Sequence, residues 1–271
     1  MNLKTEKKEI KKIIRKGAIR TFYQPLVSLI NGEILGYEAL TRGPEQTSWE
    51  MPLDLFSAAE RHGFLWELDF LCRVKAIENF PESLENNKLF LNVSSKVVAS
   101  DQHQFGATLK FLSQMELDAG NIILEVNEKT ALEDFSLFSQ VIEHYAHQGF
   151  NIAIDDSSSE FSGFSFLSRI FPQYIKIDRG LVRDIEKDFF KQGVVQSIKT
   201  FAGRKNIELI AEGIETAEEL KFLINLGIDY GQGYFLQSPQ EKNLGVSREK
   251  IKIIRDQNRK KISFSDRKSV V

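Results

Sequence analysis

The feature that most constrains this chain is a repeated alternation of period. Short runs of β-branched and aromatic residues are separated by longer stretches whose apolar residues recur at helical spacing. The runs are TFYQPLVSL, EILGYEAL, KLFLNVS, NIILEV, NIAIDD, YIKID, ELIAEGI and DYGQGYF. Between them lie LDLFSAAERHGFLWELDFLCRVKAIENF, TLKFLSQM, FSLFSQVIEHYAHQG, KQGVVQSIKTFAGRKN and ETAEELKFLINLG. Several of these end in glycine, which tolerates the left-handed backbone at a helix C-terminus. Strand and helix in repeated alternation imply a largely parallel sheet. Eight such strands in roughly 250 residues imply an α/β chain closed into a (β/α)₈ barrel of the TIM type. One connection departs from that plan. The first two runs are joined by Ile30-Asn31-Gly32-Glu33, and Asn-Gly between strands is a strong hairpin signal, so the first strand is expected antiparallel to the second.

The 271 residues could make one large domain or two small ones. No linker or repeat interrupts residues 20–242, which are therefore read as one barrel. With 42% apolar and 27% charged residues, the composition is that of a soluble globular protein, and 21 phenylalanines suggest an aromatic-rich core. The net charge of −2 gives no global case for nucleic-acid or membrane binding. The single cysteine, Cys72 in LDFLCRV, excludes an intrachain disulfide, reads as a core filler and points to the cytoplasm. No apolar run approaches the roughly 20 residues of a membrane span, and the N-terminus lacks the pattern of a secretory signal. Residues 1–20 read as a basic lead-in helix. Residues 243–271 read as a helix from about Ser247 to Gln257 followed by a disordered polar tail. Basic runs at chain ends are ordinarily solvated faces.

Function is written at the ends of the strands. In order, these carry Glu38, Asn92, Glu125, Asp155 with Asp156, Lys176 with Asp178, Glu212, and Gln232. A βα barrel gathers such positions onto one face. Taken singly, each has an ordinary explanation: an acidic residue after a strand usually caps a helix, and a strand-end lysine can snorkel to water. Taken together, so many carboxylates in one mouth would repel unless divalent cations neutralised them. All-oxygen ligands suit hard ions, Mg²⁺ or Mn²⁺. Two such ions can activate a water and stabilise in-line displacement at phosphorus, which makes metal-assisted phosphodiester hydrolysis the chemistry these residues suggest.

Eight ordered motifs, YQPL, YEALTR, FLNVS, LEVNE, IAIDD, YIKIDR, IAEGIET and GQGYFLQSP, resemble those of EAL domains, bacterial phosphodiesterases specific for cyclic di-GMP. The likeness covers about residues 10 to 242, nearly the whole folded part. It implies a barrel with an antiparallel first strand, the product linear pGpG, and a homodimer. It implies that Glu38, Asn92, Glu125 and Asp155 hold the metals, with Asp155 bridging and Asp156 completing the second ion's shell. Lys176 would orient or deprotonate the attacking water, with Glu38 and Glu212 further acidic groups of the catalytic centre. Gln24, Arg42, Asp178, Gln232 and the segment ending at Pro239 would meet the substrate, Arg42 on a phosphate.

One block departs from the pattern. Where the family reads DDFGTG, this chain reads Asp155-Asp156-Ser157-Ser158-Ser159-Glu160. Both glycines and the aromatic residue are gone, and with them the backbone freedom that glycine supplies. Glu215, which the resemblance assigns as the anchor of this loop, is retained. The ligand set is complete while its support is altered, so the second ion is expected to bind more weakly than the first. Three readings stay open here: an active phosphodiesterase, a cyclic di-GMP receptor with little or no turnover, and a module that works through protein partners.

Overall fold

The computed structural model describes residues 2–84, 86–98, 106–128, 134–157, 172–242 and 245–268. Eight strands close into a barrel in chain order: β1 (Arg20–Ser28), β2 (Ile34–Arg42), β3 (Lys88–Asn92), β4 (Ile122–Asn127), β5 (Asn151–Ser157), β6 (Tyr174–Ile177), β7 (Glu208–Ala211) and β8 (Tyr230–Gly231). β1 runs antiparallel to both its neighbours, β2 and β8, and every other neighbouring pair is parallel. The reversal is made at Gly32, whose φ of 78° lies in the left-handed region that only glycine adopts freely. β8 is too short to cover β1, pairing only with Val27 and Ser28. The wall is completed higher up by Gln240, which exchanges two backbone hydrogen bonds with Tyr23 at 2.8 and 3.0 Å.

Side chains alternate across a strand, so residues i and i+2 point the same way. That period builds the barrel interior in tiers. Leu26, Phe90, Ile123, Ala153, Tyr174 and Ile210 form one buried apolar cluster inside the barrel. Gln24, Asn92, Glu125, Asp155, Lys176 and Glu212 each lie two residues further toward the mouth, on top of that floor. The floor is aromatic at Phe90 and Tyr174, whose rings meet edge-on at 5.4 Å. The larger core between strands and outer helices is chiefly Ile, Leu and Val. Of the phenylalanines, Phe189 and Phe190 are 88% and 71% exposed, so the abundance of this residue is only partly spent on the interior.

The lead-in helix, Leu3–Lys16, forms as expected between an Asn2 cap and Gly17. Ile10 and Ile13 pack with Trp49, Leu55, Leu68 and Cys72 in a separate apolar cluster, so only its outer face is solvated. The C-terminal helix, Arg248–Lys268, runs eleven residues past the expected end at Gln257, through a stretch expected to be disordered. Residues 258–268 contain neither glycine nor proline to stop it. Asn258 Nδ2 donates to Leu29 O at 2.8 Å and Lys261 Nζ to Ile224 O at 2.9 Å, which dock the helix on the barrel. Fully buried Ile254 contributes about 1.5–3 kcal/mol to that docking. Among the described residues, no helix is long and apolar enough to cross a membrane.

Candidate active site

Eight of the sequence-assigned residues meet in the upper tier of the barrel. At its centre is the Lys176 ammonium, 1% exposed. It lies 2.7 Å from Glu125 Oε1, 2.7 Å from Glu212 Oε1, 3.2 Å from Asp155 Oδ1 and 3.3 Å from Glu38 Oε2. Amides fix the Glu38 carboxylate from two sides. Asn92 Nδ2 donates to Oε1 at 3.1 Å and Gln232 Nε2 to Oε2 at 2.8 Å. Gln232 Nε2 also lies 3.0 Å from Gln24 Oε1, and Gln24 Nε2 donates to Gln237 O at 2.9 Å. That last bond brings the segment ending at Pro239 beside the site.

The charges do not balance. Two like charges about 4 Å apart repel by about 4 kcal/mol at an effective dielectric of about 20. Four ionised carboxylates against one ammonium are therefore not sustainable, and the layer responds by holding protons. Burial and the neighbouring Glu38 push Glu125 well above the ordinary carboxylate range, against the pull of Lys176. Burial pushes Glu212 up to about 8, despite the same pull. Glu38 goes the other way: burial would raise it, but Lys176 and the Gln232 and Asn92 amides hold it below its usual value. Lys176 is disfavoured as a cation by burial, yet Asp155, Glu125, Glu212 and Glu38 together raise it well above its ordinary range.

This gives a pH dependence with a definite sign. Glu212 keeps its proton to about pH 8 in the folded chain and only to about 4.5 when unfolded. The folded chain then carries the extra proton between those values, so its metal-free stability falls as pH rises through that window. Thermal denaturation in chelator should show the melting point declining from 4.5 toward 8, with a shallower decline in Glu212→Gln.

The donor set fits a hard divalent cation. Its ligands are all oxygens, its negative charge is in excess, and Glu125 Oε2 has no hydrogen-bond partner among the described residues. Among those residues no three acidic or other ligating side chains are already disposed to hold an ion; the four carboxylates surround the Lys176 ammonium instead.

Asp155 and Asp156 occupy an irregularity of the sheet. Ile154 pairs with Ile175 and Ser157 with Ile177, so β5 carries one residue more than β6 at the aspartate pair. Such a bulge interrupts the strict alternation of faces, and bulges gather beside active sites. The Asp156 side chain and residues 158–160 lie outside the described residues, as does any contact of the altered loop.

Three assigned residues stand apart from the cluster. Arg42 is four residues beyond Glu38 on β2, about 13 Å up the strand at about 3.3 Å per residue. Its Nη1 donates to Thr41 O at 2.8 Å, and its guanidinium lies 5.8 Å from the Phe22 ring. Asp178 accepts from Gly180 N at 2.7 Å, capping the short helix Arg179–Val182. Glu215 pairs with Arg179. A further group escaped the sequence reading altogether: Asp69, Arg73 and Tyr145, buried behind the β3 end of the site. The one available signal was an Asp and an Arg four apart within the apolar helical stretch WELDFLCRV.

Comparison with known proteins gives a consistent family. The EAL domain matches residues 7–239. Cyclic di-GMP phosphodiesterase PdeR of Escherichia coli (strain K12) is 31% identical over 235 residues, 85% of this chain and 35% of that protein. Bifunctional diguanylate cyclase/cyclic di-GMP phosphodiesterase MucR of Pseudomonas aeruginosa is 28% identical over 240 residues, 85% of this chain and 34% of that protein. The chain thus spans about a third of the length of these relatives. Among solved structures, the PaMucR phosphodiesterase in complex with c-di-GMP superposes with a TM-score of 0.72 at 27% identity, covering 86% of this chain and 97% of that one. A standalone EAL protein from Vibrio cholerae O395 in its c-di-GMP bound form gives 0.71 at 28% identity, covering 85% and 96%.

Proposed function

Because the chain belongs to the EAL domain family, we propose that it is a metal-dependent phosphodiesterase that opens cyclic di-GMP to linear pGpG. The observation that carries this reading is the buried ammonium ringed by Glu38, Glu125, Asp155 and Glu212 with Asn92 and Gln232 beside it. Glu38, Asn92, Glu125 and Asp155 would hold Mg²⁺ or Mn²⁺, with Asp156 completing a second ion's shell. Such ions, when bound, acidify water and polarise the phosphodiester. Lys176, at the centre of the ring, would orient or deprotonate the attacking water. Glu212, 2.7 Å from the Lys176 ammonium, would be a further acidic group of the same centre. Gln24, Gln232 and the segment ending at Pro239 form one edge of the mouth, and Arg42 waits at the rim for a phosphate. Asp178 and Glu215 belong to the proposal as a second substrate contact and as the anchor of the altered loop. The division into lead-in helix (1–20), barrel (20–242) and terminal segment (243–271), the cytoplasmic setting, the homodimer and a signalling protein partner are parts of the same reading.

A receptor function is the second reading, favoured by one observation: Ser157 to Glu160 replace the glycine-bearing loop. One experiment separates the two. Purified protein is assayed for pGpG release with Mg²⁺ or Mn²⁺, and cyclic di-GMP binding is measured in parallel by calorimetry. Binding with release supports the enzyme, and binding without it the receptor. Absence of binding sinks both. Arg42→Ala should weaken binding by about 10–100-fold, the worth of a lost charge-assisted contact. Unchanged affinity would remove Arg42 from the substrate site.

A further inference from the structure

Asp69 and Arg73 form an ion pair on the helix Leu65–Glu78, Arg73 Nη2 lying 2.8 Å from Asp69 Oδ2. Both are 2% exposed. A buried pair of this kind is often replaced by apolar side chains without loss of stability, so stability alone does not explain it on an otherwise apolar helix face. Its remaining bonds point toward the site. Asp69 Oδ1 accepts from Ser94 N at 3.2 Å, two residues after Asn92 leaves β3. Val93 between them donates its N–H to Glu125 O at 3.0 Å. On the other side Arg73 Nη1 donates to Tyr145 Oη at 3.0 Å. Tyr145 ends near β5: its carbonyl accepts from Phe150 N at 3.2 Å, and the two rings meet edge-on at 5.9 Å. A connected set of bonds thus runs from the turn after Asn92 to the approach of the strand carrying Asp155.

We propose that Asp69 is a positioning residue for the metal site, holding the Asn92 turn through Ser94 and itself held by Arg73 and Tyr145. The inference rests on the phosphodiesterase reading for the identity of Asn92 as a ligand. The geometry sets a division of labour. Glu38, Glu125 and Lys176 are placed by central barrel strands and packed on all sides. Asn92 is the last residue of β3 and exposed, so beyond its bond to Glu38 its amide depends on the turn that follows. Asp69 supplies the acceptor that fixes this turn from behind, itself out of reach of solvent.

The test is Mn²⁺ binding in the absence of cyclic di-GMP, followed by electron paramagnetic resonance. The double variant Asp69→Leu/Arg73→Met removes the pair without stranding a buried charge. It is expected to weaken Mn²⁺ binding by about tenfold or more, the scale of changes behind metal ligands. Tyr145→Phe deletes one oxygen, folds with the same shape, and should weaken Mn²⁺ by about threefold through a looser Arg73. Turnover in both should recover at saturating Mn²⁺, a pattern that mere loss of stability does not produce. Ile254→Ala, beneath the C-terminal helix, is the stability control and should leave Mn²⁺ affinity unchanged. Unaltered Mn²⁺ affinity in Tyr145→Phe and in a folded double variant overturns the proposal, and so does an equal shift in the control. If the double variant does not fold, Tyr145→Phe decides. A wild-type chain that binds Mn²⁺ but releases no pGpG defeats the enzyme reading while leaving this test intact. A wild-type chain that binds no Mn²⁺ defeats both.

Discussion

Lys176→Met should abolish hydrolysis of cyclic di-GMP and should also yield a protein that melts far below wild type when metal is withheld. The loss of turnover is expected at about 10²–10⁴-fold, the worth of a positioned proton-handling group. The loss of stability has a separate origin. The Lys176 ammonium stands within 3.3 Å of four carboxylates and is their shared counter-charge. Removing one partner from a buried ion pair costs about 3–5 kcal/mol, because the charge left behind is uncompensated. For a domain of this size that corresponds to a fall on the order of 10 °C in melting temperature. Mg²⁺ or Mn²⁺ should restore much of the stability, since a dication supplies the missing positive charge, without restoring turnover. Calorimetric melts of wild type and variant, each with chelator and with metal, make the comparison. A variant as stable as wild type in chelator would show that the carboxylates are neutral there and that the ammonium neutralises nothing.

Rebuilding the loop after the aspartate pair should raise turnover by about tenfold or more. Asp156 through Glu160 would become Asp-Phe-Gly-Thr-Gly by substitution of the last four residues. The reason lies in how the two ions would be held. Glu38, Asn92 and Glu125, the proposed ligands of the first, come from three separate strands, β2, β3 and β4. Asp156 sits in the bulge of β5 and immediately precedes the altered stretch, so the second ion would depend on a backbone that serine and glutamate make less adaptable. Native activity should therefore be weak and climb steeply with Mn²⁺ or Mg²⁺ concentration. The rebuilt variant should saturate at lower metal. Steady-state assays over a metal series decide it. If the rebuilt chain turns over no faster than native at saturating metal, the serines are tolerated and the limitation lies elsewhere.

The fold was legible because its two periods are physical. Short apolar and β-branched runs such as β4 and β7 are buried on both faces, whereas apolar residues recur every third or fourth position in the helices, and neither pattern fits the other element. The Asn31-Gly32 turn was legible for a similar reason, since few residues accept a positive φ. The convergence of Glu38, Glu125, Asp155, Lys176 and Glu212 followed from barrel geometry once each was read at a strand's C-terminal end, although Glu38 proves to lie mid-strand, β2 running on to Arg42. Other features depend on distances that spacing does not encode. Nothing in the sequence separates Arg42, at the rim, from Glu38, four residues away and deep in the layer. Nothing marks that Gln24 and Gln232, 208 positions apart, share a hydrogen bond. Asp69 and Arg73 resemble any exposed i, i+4 pair until their burial is known. The helix from Arg248 outlasts its expected end because docking at Asn258 and Lys261, rather than local composition, sustains it.

The apolar floor under the carboxylates has a consequence for traffic. Leu26, Phe90, Ile123 and Ile210 are wholly buried beneath the site and Tyr174 nearly so, which seals the barrel below. On the phosphodiesterase proposal, an ion, a water and a dinucleotide would all use the same doorway at the top. Metal would enter before the nucleotide, and a nucleotide in place would act as a stopper over the ions beneath it. Metal exchange would then be quick in the empty barrel and slow in the filled one, so the substrate itself would guard the ions that cut it.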